Sequence, residues 1–83
     1  MTPAAPRRNR DEVARLGTEI YERRVKPLLT PADDGKYVAI DIVTEEYVID
    51  ADDYTAVKSL HRRRPGAEVW HRRIGRLDKL GLR

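Results

Sequence analysis

The sequence has no cysteine and no apolar run that approaches a membrane span, which takes about 20 residues. Without cysteine the chain forms no disulfide, no thiolate nucleophile and no thiolate-ligated metal site. The N-terminus contains arginines but no apolar segment follows them, so it does not predict a signal peptide. We therefore expect a cytoplasmic protein that does not bind membranes.

Motifs for catalysis, cofactors and metals are also missing. The glycines are isolated, so no glycine-rich loop is available to bind phosphate. The histidines, His61 and His71, have no serine, threonine or cysteine placed to act with them as a nucleophile. The aspartates between residues 41 and 53 lack the spacing of an EF-hand loop. We expect no enzymatic activity, no cofactor and no metal site.

Charge is strongly separated along the 83 residues, although the net charge is only +3. Residues 1–31 carry +3, residues 32–60 carry −6 and residues 61–83 carry +6. Such a chain either presents an acidic and a basic surface or interleaves the opposite charges once it has folded. We favour the interleaved arrangement.

The segment from Gly35 to Asp50 (GKYVAIDIVTEEYVID) organises the rest of the chain. Its alternation predicts a strand over residues 36–43, with Val38, Ile40 and Ile42 on the buried face. A short turn at residues 44–46 then leads into a second strand, residues 47–50. We interpret the segment as an antiparallel hairpin.

Residues 9–26 predict an amphipathic helix with Asn9 as its N-cap, because Val13, Leu16 and Ile20 follow helical spacing. Gly17 lies inside this helix and indicates a close approach by another backbone segment. Pro27 should end the helix. The loop that follows, residues 27–35, is expected to contact the core through Leu28 and Leu29.

The second half of the chain predicts one helix and one strand. Residues 53–63 form the helix, with Asp52 as its N-cap and Pro65-Gly66 after its end. Residues 68–74 form a third strand whose polar character indicates a sheet edge, and Trp70 should be half exposed.

These elements predict an α+β fold in the order helix, β-hairpin, helix, strand, with a three-stranded antiparallel or mixed sheet packed on two helices. We place both helices on one face of the sheet. The single domain spans residues 9–75, after a disordered basic tail (1–8) and before a C-terminal tail or short helical turn (76–83). The expected core comprises Val13, Leu16, Ile20, Leu28, Val38, Ile40, Ile42, Val48, Val57, Leu60, Val69 and Ile74.

Arginines and one tryptophan cluster in the last third of the chain and are candidates for nucleic-acid binding, since arginine holds phosphates and aromatic rings stack on bases. Strand alternation sends neighbouring arginines to opposite faces, and the acidic segment can neutralise part of the cluster. The candidate residues are Arg62, Arg63, Arg64, Trp70, Arg72, Arg73 and Arg76.

Four segments resemble a family of short uncharacterised bacterial proteins, which have a G-K-aromatic-V-A-I hairpin and a closing R-V/I-G. The segments are GKYVAID (35–41), EYVID (46–50), RRRPGAEVW (62–70) and RIG (73–75). The resemblance covers residues 20–75, and the C-terminal tail departs from the family pattern. Such proteins are often encoded beside aspartic-protease-like or toxin–antitoxin proteins. The resemblance therefore implies a partner-binding role and supplies no catalytic residue.

We expect a non-enzymatic protein-interaction module, either antitoxin-like or a small adaptor. Its sheet edge would accept a strand from a protein partner. A homodimer formed through a sheet edge is a further possibility. The alternative function is a small nucleic-acid-binding protein that uses the basic C-terminal third.

Overall fold

The computed structural model describes residues 8–75, so the predictions for residues 1–7 and 76–83 lie outside the described part of the chain. The fold is α+β, as predicted, and no helix within residues 8–75 is long and apolar enough to cross a membrane. The helices and strands are α1 (Arg10–Ile20), β1 (Tyr37–Asp41), β2 (Tyr47–Asp50), α2 (Asp53–Arg63) and β3 (Val69–Arg73).

Helix α1 begins as predicted, because the Asn9 side chain accepts the Glu12 backbone N–H at 2.8 Å. Its end differs from the prediction. The chain continues through a π-helical turn, Tyr21–Val25, and a 3-10 turn, Lys26–Leu28. Pro27 is tolerated there because it lies in the first turn of a new helical segment, where its missing N–H is not needed.

The sheet is antiparallel throughout, with strand order β2-β1-β3. Tyr37 of β1 lies opposite Asp50 of β2 on one side and Arg73 of β3 on the other. Strand β3 lies at the sheet edge, as predicted. Helix α2 joins the two edge strands and packs against all three strands of the sheet.

The two helices pack on opposite faces of the sheet, so the prediction that they share one face is wrong. The face of Val38, Ile40 and Ile42 packs against the α1 side. The opposite face packs against α2, where Ala39 contacts Ala56 and Leu60. The physical reason is that β1 is the central strand and buries residues on both faces, Val38 and Ile40 on one and Ala39 on the other, so each face needs its own cover.

The predicted core is wrong at Leu28, which is 68% exposed, and it omits Tyr21 and Val25, which are fully buried. The π-helical turn explains the omission. Wider winding brings Val25, five residues after Ile20, towards the core, where regular α-helical spacing would bring Arg24. Leu28 is exposed because it belongs to the 3-10 turn that continues the helix, whereas the prediction placed it in a loop that contacts the core.

Candidate interaction surface

The hydrogen bonds of β1 decide which backbone groups of β2 face outwards. The Asp41 N–H donates to the Glu46 carbonyl at 2.8 Å, whereas the next residue, Ile42, donates to the Glu68 carbonyl at 3.0 Å. Successive residues of β1 thus bond to β2 and β3 in turn. In this register the backbone groups of Tyr47 and Ile49 point away from β1.

Among residues 8–75 the sheet has three strands, so β1 is the one strand paired with β2. No other hydrogen bond between described residues reaches the backbone of Tyr47 or Ile49. The side chains of Tyr47, Val48 and Ile49 are half-buried against the two core clusters. We define the outward backbone of Tyr47 and Ile49, with the flanking Glu46 and Asp50, as the β2 edge.

The edge of β3 is less open. The Arg72 Nε donates to the Arg73 carbonyl at 3.2 Å. That carbonyl is one of the β3 backbone groups that point away from β1. The His71 side chain on this strand pairs with Asp53, at 2.8 Å between Nδ1 and Oδ1. Charged side chains along an edge oppose the addition of another strand. The β2 edge is therefore the better candidate for strand pairing.

Acidic side chains surround the β2 edge, and some of them are already neutralised. Glu45, in the hairpin turn, contacts Arg23 at 2.9 Å and Arg24 at 3.4 Å. The hydrogen bond from Arg23 lowers the pKa of Glu45 below its ordinary value. Glu45 has a φ of 69°, a left-handed conformation that is uncommon for this residue type.

Other acids beside the β2 edge are weakly paired or unpaired. Glu46 lies 4.0 Å from Arg63, which is the limit of an ion pair. Asp50 accepts the Asp52 backbone N–H at 2.9 Å, and Asp52 accepts from Thr55, whose hydroxyl lowers the pKa of Asp52. Neither aspartate has an ion-pair partner among the described residues. The β2 edge therefore has net negative charge.

The candidate nucleic-acid residues do not form one surface. Arg64 donates to the buried Asp41, at 2.6 Å from Nε to Oδ2, and so stabilises the fold. Arg72 lies over the Tyr21 ring, 4.7 Å from its centroid, on the α1 side. Trp70 packs half-buried against the core cluster under α1, as its predicted half-exposure implied.

The remaining candidates are separated. Arg62 and Arg63 are exposed at the end of α2, and Arg73 is exposed at the end of β3. Arg76 lies outside the described residues. Arg72 and Arg73 lie on opposite faces, as strand alternation predicted, and nucleic-acid binding stays a prediction.

The Asp41–Arg64 contact was missed by sequence reasoning. Asp41 is 2% exposed, and the N–H of Val43 also donates to it, at 2.9 Å. Burial raises the pKa of Asp41, but the hydrogen bonds from Arg64, Val43 and Thr44 outweigh burial and leave it below its ordinary value. Nothing in the local pattern signals the pair, because the partners are 23 residues apart in sequence.

Within the described residues, no group of three His, Cys, Asp or Glu side chains is placed to hold a metal ion. His61 is exposed on α2, and His71 contacts Asp53 on an exposed surface.

Comparison of the chain with profiles of known protein families, with curated proteins and with solved structures found no match. The resemblance to a bacterial family thus stays a prediction.

Proposed function

We propose that this chain is a non-enzymatic protein-interaction module, such as an antitoxin or a small adaptor, which binds an extended segment of a protein partner along β2. The observation that carries the proposal is the outward backbone of Tyr47 and Ile49, with which no strand within residues 8–75 pairs. Each of these residues offers one N–H donor and one carbonyl acceptor. Addition of a strand to such an edge is an established mode of peptide recognition.

The composition of β2 supports this choice of edge. Tyr47, Val48 and Ile49 are residue types that favour strands, and all three are half-buried at the side of the sheet. A partner strand would extend both apolar faces of the sheet by one strand. Affinity would come from main-chain hydrogen bonds, and specificity from the side chains that lie beside Tyr47, Val48 and Ile49.

The test is amide hydrogen exchange on the full chain, alone and with proteins that co-purify with it from its native host. Binding along β2 should slow exchange at the Tyr47 and Ile49 amides and leave the outward His71 amide of β3 unchanged. Protection at His71 alone, or no protection at either edge in a stable complex, would contradict the proposed surface.

A pair of proline variants gives an independent test. Ile49→Pro removes an outward N–H of β2, and His71→Pro removes an outward N–H of β3. Neither residue donates its N–H to β1, so both variants should retain the sheet, which circular dichroism checks. We expect Ile49→Pro to lose the partner and His71→Pro to retain it. Equal loss in both variants would indicate that β2 is not the binding edge.

A further inference from the structure

We infer that the β2 edge is selective for a basic partner strand, with a Lys or Arg at each end of three residues of apolar or β-branched type, and that it disfavours a second copy of this chain. This inference rests on the proposed function and specifies the partner's chemistry. Its basis is the combination of an open strand edge with acids at both of its ends.

The charges at the β2 edge are incompletely balanced. Glu46 begins the segment and Asp50 ends it, with Asp52 just beyond. Within residues 8–75 Glu46 forms one ion pair, with Arg63 at 4.0 Å, and both side chains are more than half exposed. Asp50 uses one carboxylate oxygen to cap the Asp52 N–H, and neither aspartate forms an ion pair within residues 8–75. A partner strand could therefore bring cations to both ends of β2.

The register specifies where those cations belong. Val48 lies on the α2 face, and strand alternation places Glu46 and Asp50 on the same face. Tyr47 and Ile49 lie on the α1 face. In an antiparallel partner, the first residue would lie opposite Asp50 and the fifth opposite Glu46. The three residues between them would lie opposite Ile49, Val48 and Tyr47. The matching segment is thus basic at its first and fifth positions.

Pairing with a second copy brings like charges together. A two-fold axis at Val48 would place Glu46 opposite Asp50 of the other copy. An axis at Ile49 would place Glu46 opposite Asp52 of the other copy. Like charges directly opposite one another destabilise an antiparallel pair. The Val48 axis pairs the outward residues Tyr47 and Ile49 with each other, and the Ile49 axis brings the same charge conflict, so charge opposes self-association through β2 in these two registers.

Two synthetic peptides test the charge preference. One is Lys-Val-Thr-Val-Lys and the other Glu-Val-Thr-Val-Glu, each flanked by glycines and blocked at both ends. Binding is followed through the NMR shifts of the Tyr47 and Ile49 amides at low salt. A neutral Thr-Val-Thr-Val-Thr peptide is the reference. Because the basic peptide adds two cross-strand ion pairs, it should bind roughly fivefold more tightly than the neutral peptide, and the acidic peptide should bind more weakly than the neutral one.

Charge-neutral variants show whether the β2 acids cause the preference. Glu46→Gln with Asp50→Asn removes both charges and keeps an oxygen to accept the Asp52 N–H. The matched control is Asp11→Asn with Glu19→Gln, two exposed positions on α1 that change the net charge equally. We expect the first double variant to bind the three peptides with equal affinity and the control to retain the wild-type order.

The possible failures are distinguishable. If no peptide shifts the Tyr47 and Ile49 amides, the edge does not accept a strand, and the proposed function fails together with this inference. If all three bind wild type equally, or if the control loses the preference too, the charge selectivity is overturned and the proposed function stands. A dimer in sedimentation that Ile49→Pro dissociates would overturn the exclusion of a second copy.

Discussion

At the scale of single residues, Gly17 shows how one position joins α1 to the sheet. A Cβ built on Gly17 would lie 2.7 Å from Cε3 of Trp70 and closer still to two other indole carbons. Trp70 also packs edge-on against Tyr21, with ring centroids 6.4 Å apart. The close approach that the sequence indicated is made by an indole ring and not by a backbone segment.

We predict that Gly17→Ala destabilises the protein by about 1–3 kcal/mol, because the overlap with Trp70 outweighs the gain in helix propensity. Urea unfolding measures the change. Thr18→Ala adds an alanine at the neighbouring exposed position and should be neutral or slightly stabilising. A Gly17→Ala variant as stable as the wild type would show that Trp70 moves aside without cost.

Asp41 is the second residue whose role depends on packing, and its ionisation predicts a pH dependence. Its pKa is lowered in the folded state, so the stability it confers is present above its unfolded pKa, about 3.9. That stability is lost as the pH falls through the folded pKa.

Asp41→Asn should lower the melting temperature by several degrees at pH 7, because Arg64 then loses the buried carboxylate to which it donates. As the pH falls below about 4, the wild type should lose stability faster, and the two curves should converge. Other acids titrate in both proteins and cancel in the comparison. If the wild type remained more stable than Asp41→Asn at pH 2, the charge of Asp41 would not be the source of the difference in stability.

At the scale of elements, both helices begin where side-chain capping predicted, and α2 also ends where predicted, whereas the end of α1 differs from the prediction. Asn9 caps α1 and Asp52 caps α2, and each accepts the backbone N–H three residues later. These short-range signals are readable from sequence because both partners lie within one turn. The π-helical turn after Ile20 was not readable in this way, because core packing of Tyr21 and Val25 accompanies it.

We predict that Asn9→Ala reduces the free energy of unfolding by about 1 kcal/mol, since the Glu12 N–H loses its acceptor. Asn9→Asp keeps an acceptor at the same place and should retain most of the stability. Chemical denaturation compares the three proteins. Equal stability in all three would indicate that the start of α1 contributes little to the cooperative unit.

At the scale of the whole molecule, the separated charges of the sequence interleave, as we favoured. Acids of the negatively charged segment, residues 32–60, contact basic residues that precede and follow this segment in the sequence. Glu45 contacts Arg23 and Arg24, and Asp41 contacts Arg64. Glu46 is close to Arg63. Part of the acidic charge that has no ion pair within residues 8–75, at Asp50 and Asp52, lies beside β2.

This arrangement predicts that salt weakens the fold. Most of these pairs are solvent-exposed, so raising NaCl from about 0.01 M to about 1 M should screen them. We expect the urea midpoint to be lower at the higher NaCl concentration. The decrease should be smaller in Glu45→Gln, because that variant has lost the ion pairs with Arg23 and Arg24. A midpoint that rises with salt in both proteins would show that repulsion between like charges dominates.

The sequence by itself determined what depends on neighbours a few residues apart. Alternation identified the hairpin, polar character identified β3 as an edge strand, and helical spacing and caps identified α1 and α2. Together they predicted the α+β class. Only the tertiary structure decided the face on which each helix packs, the partner of Asp41 and the side chain that contacts Gly17. It also decided which sheet edge has outward backbone groups that no other strand of residues 8–75 pairs. These features join residues far apart in the chain, and their energies come from burial and from charge contacts that exist only after packing.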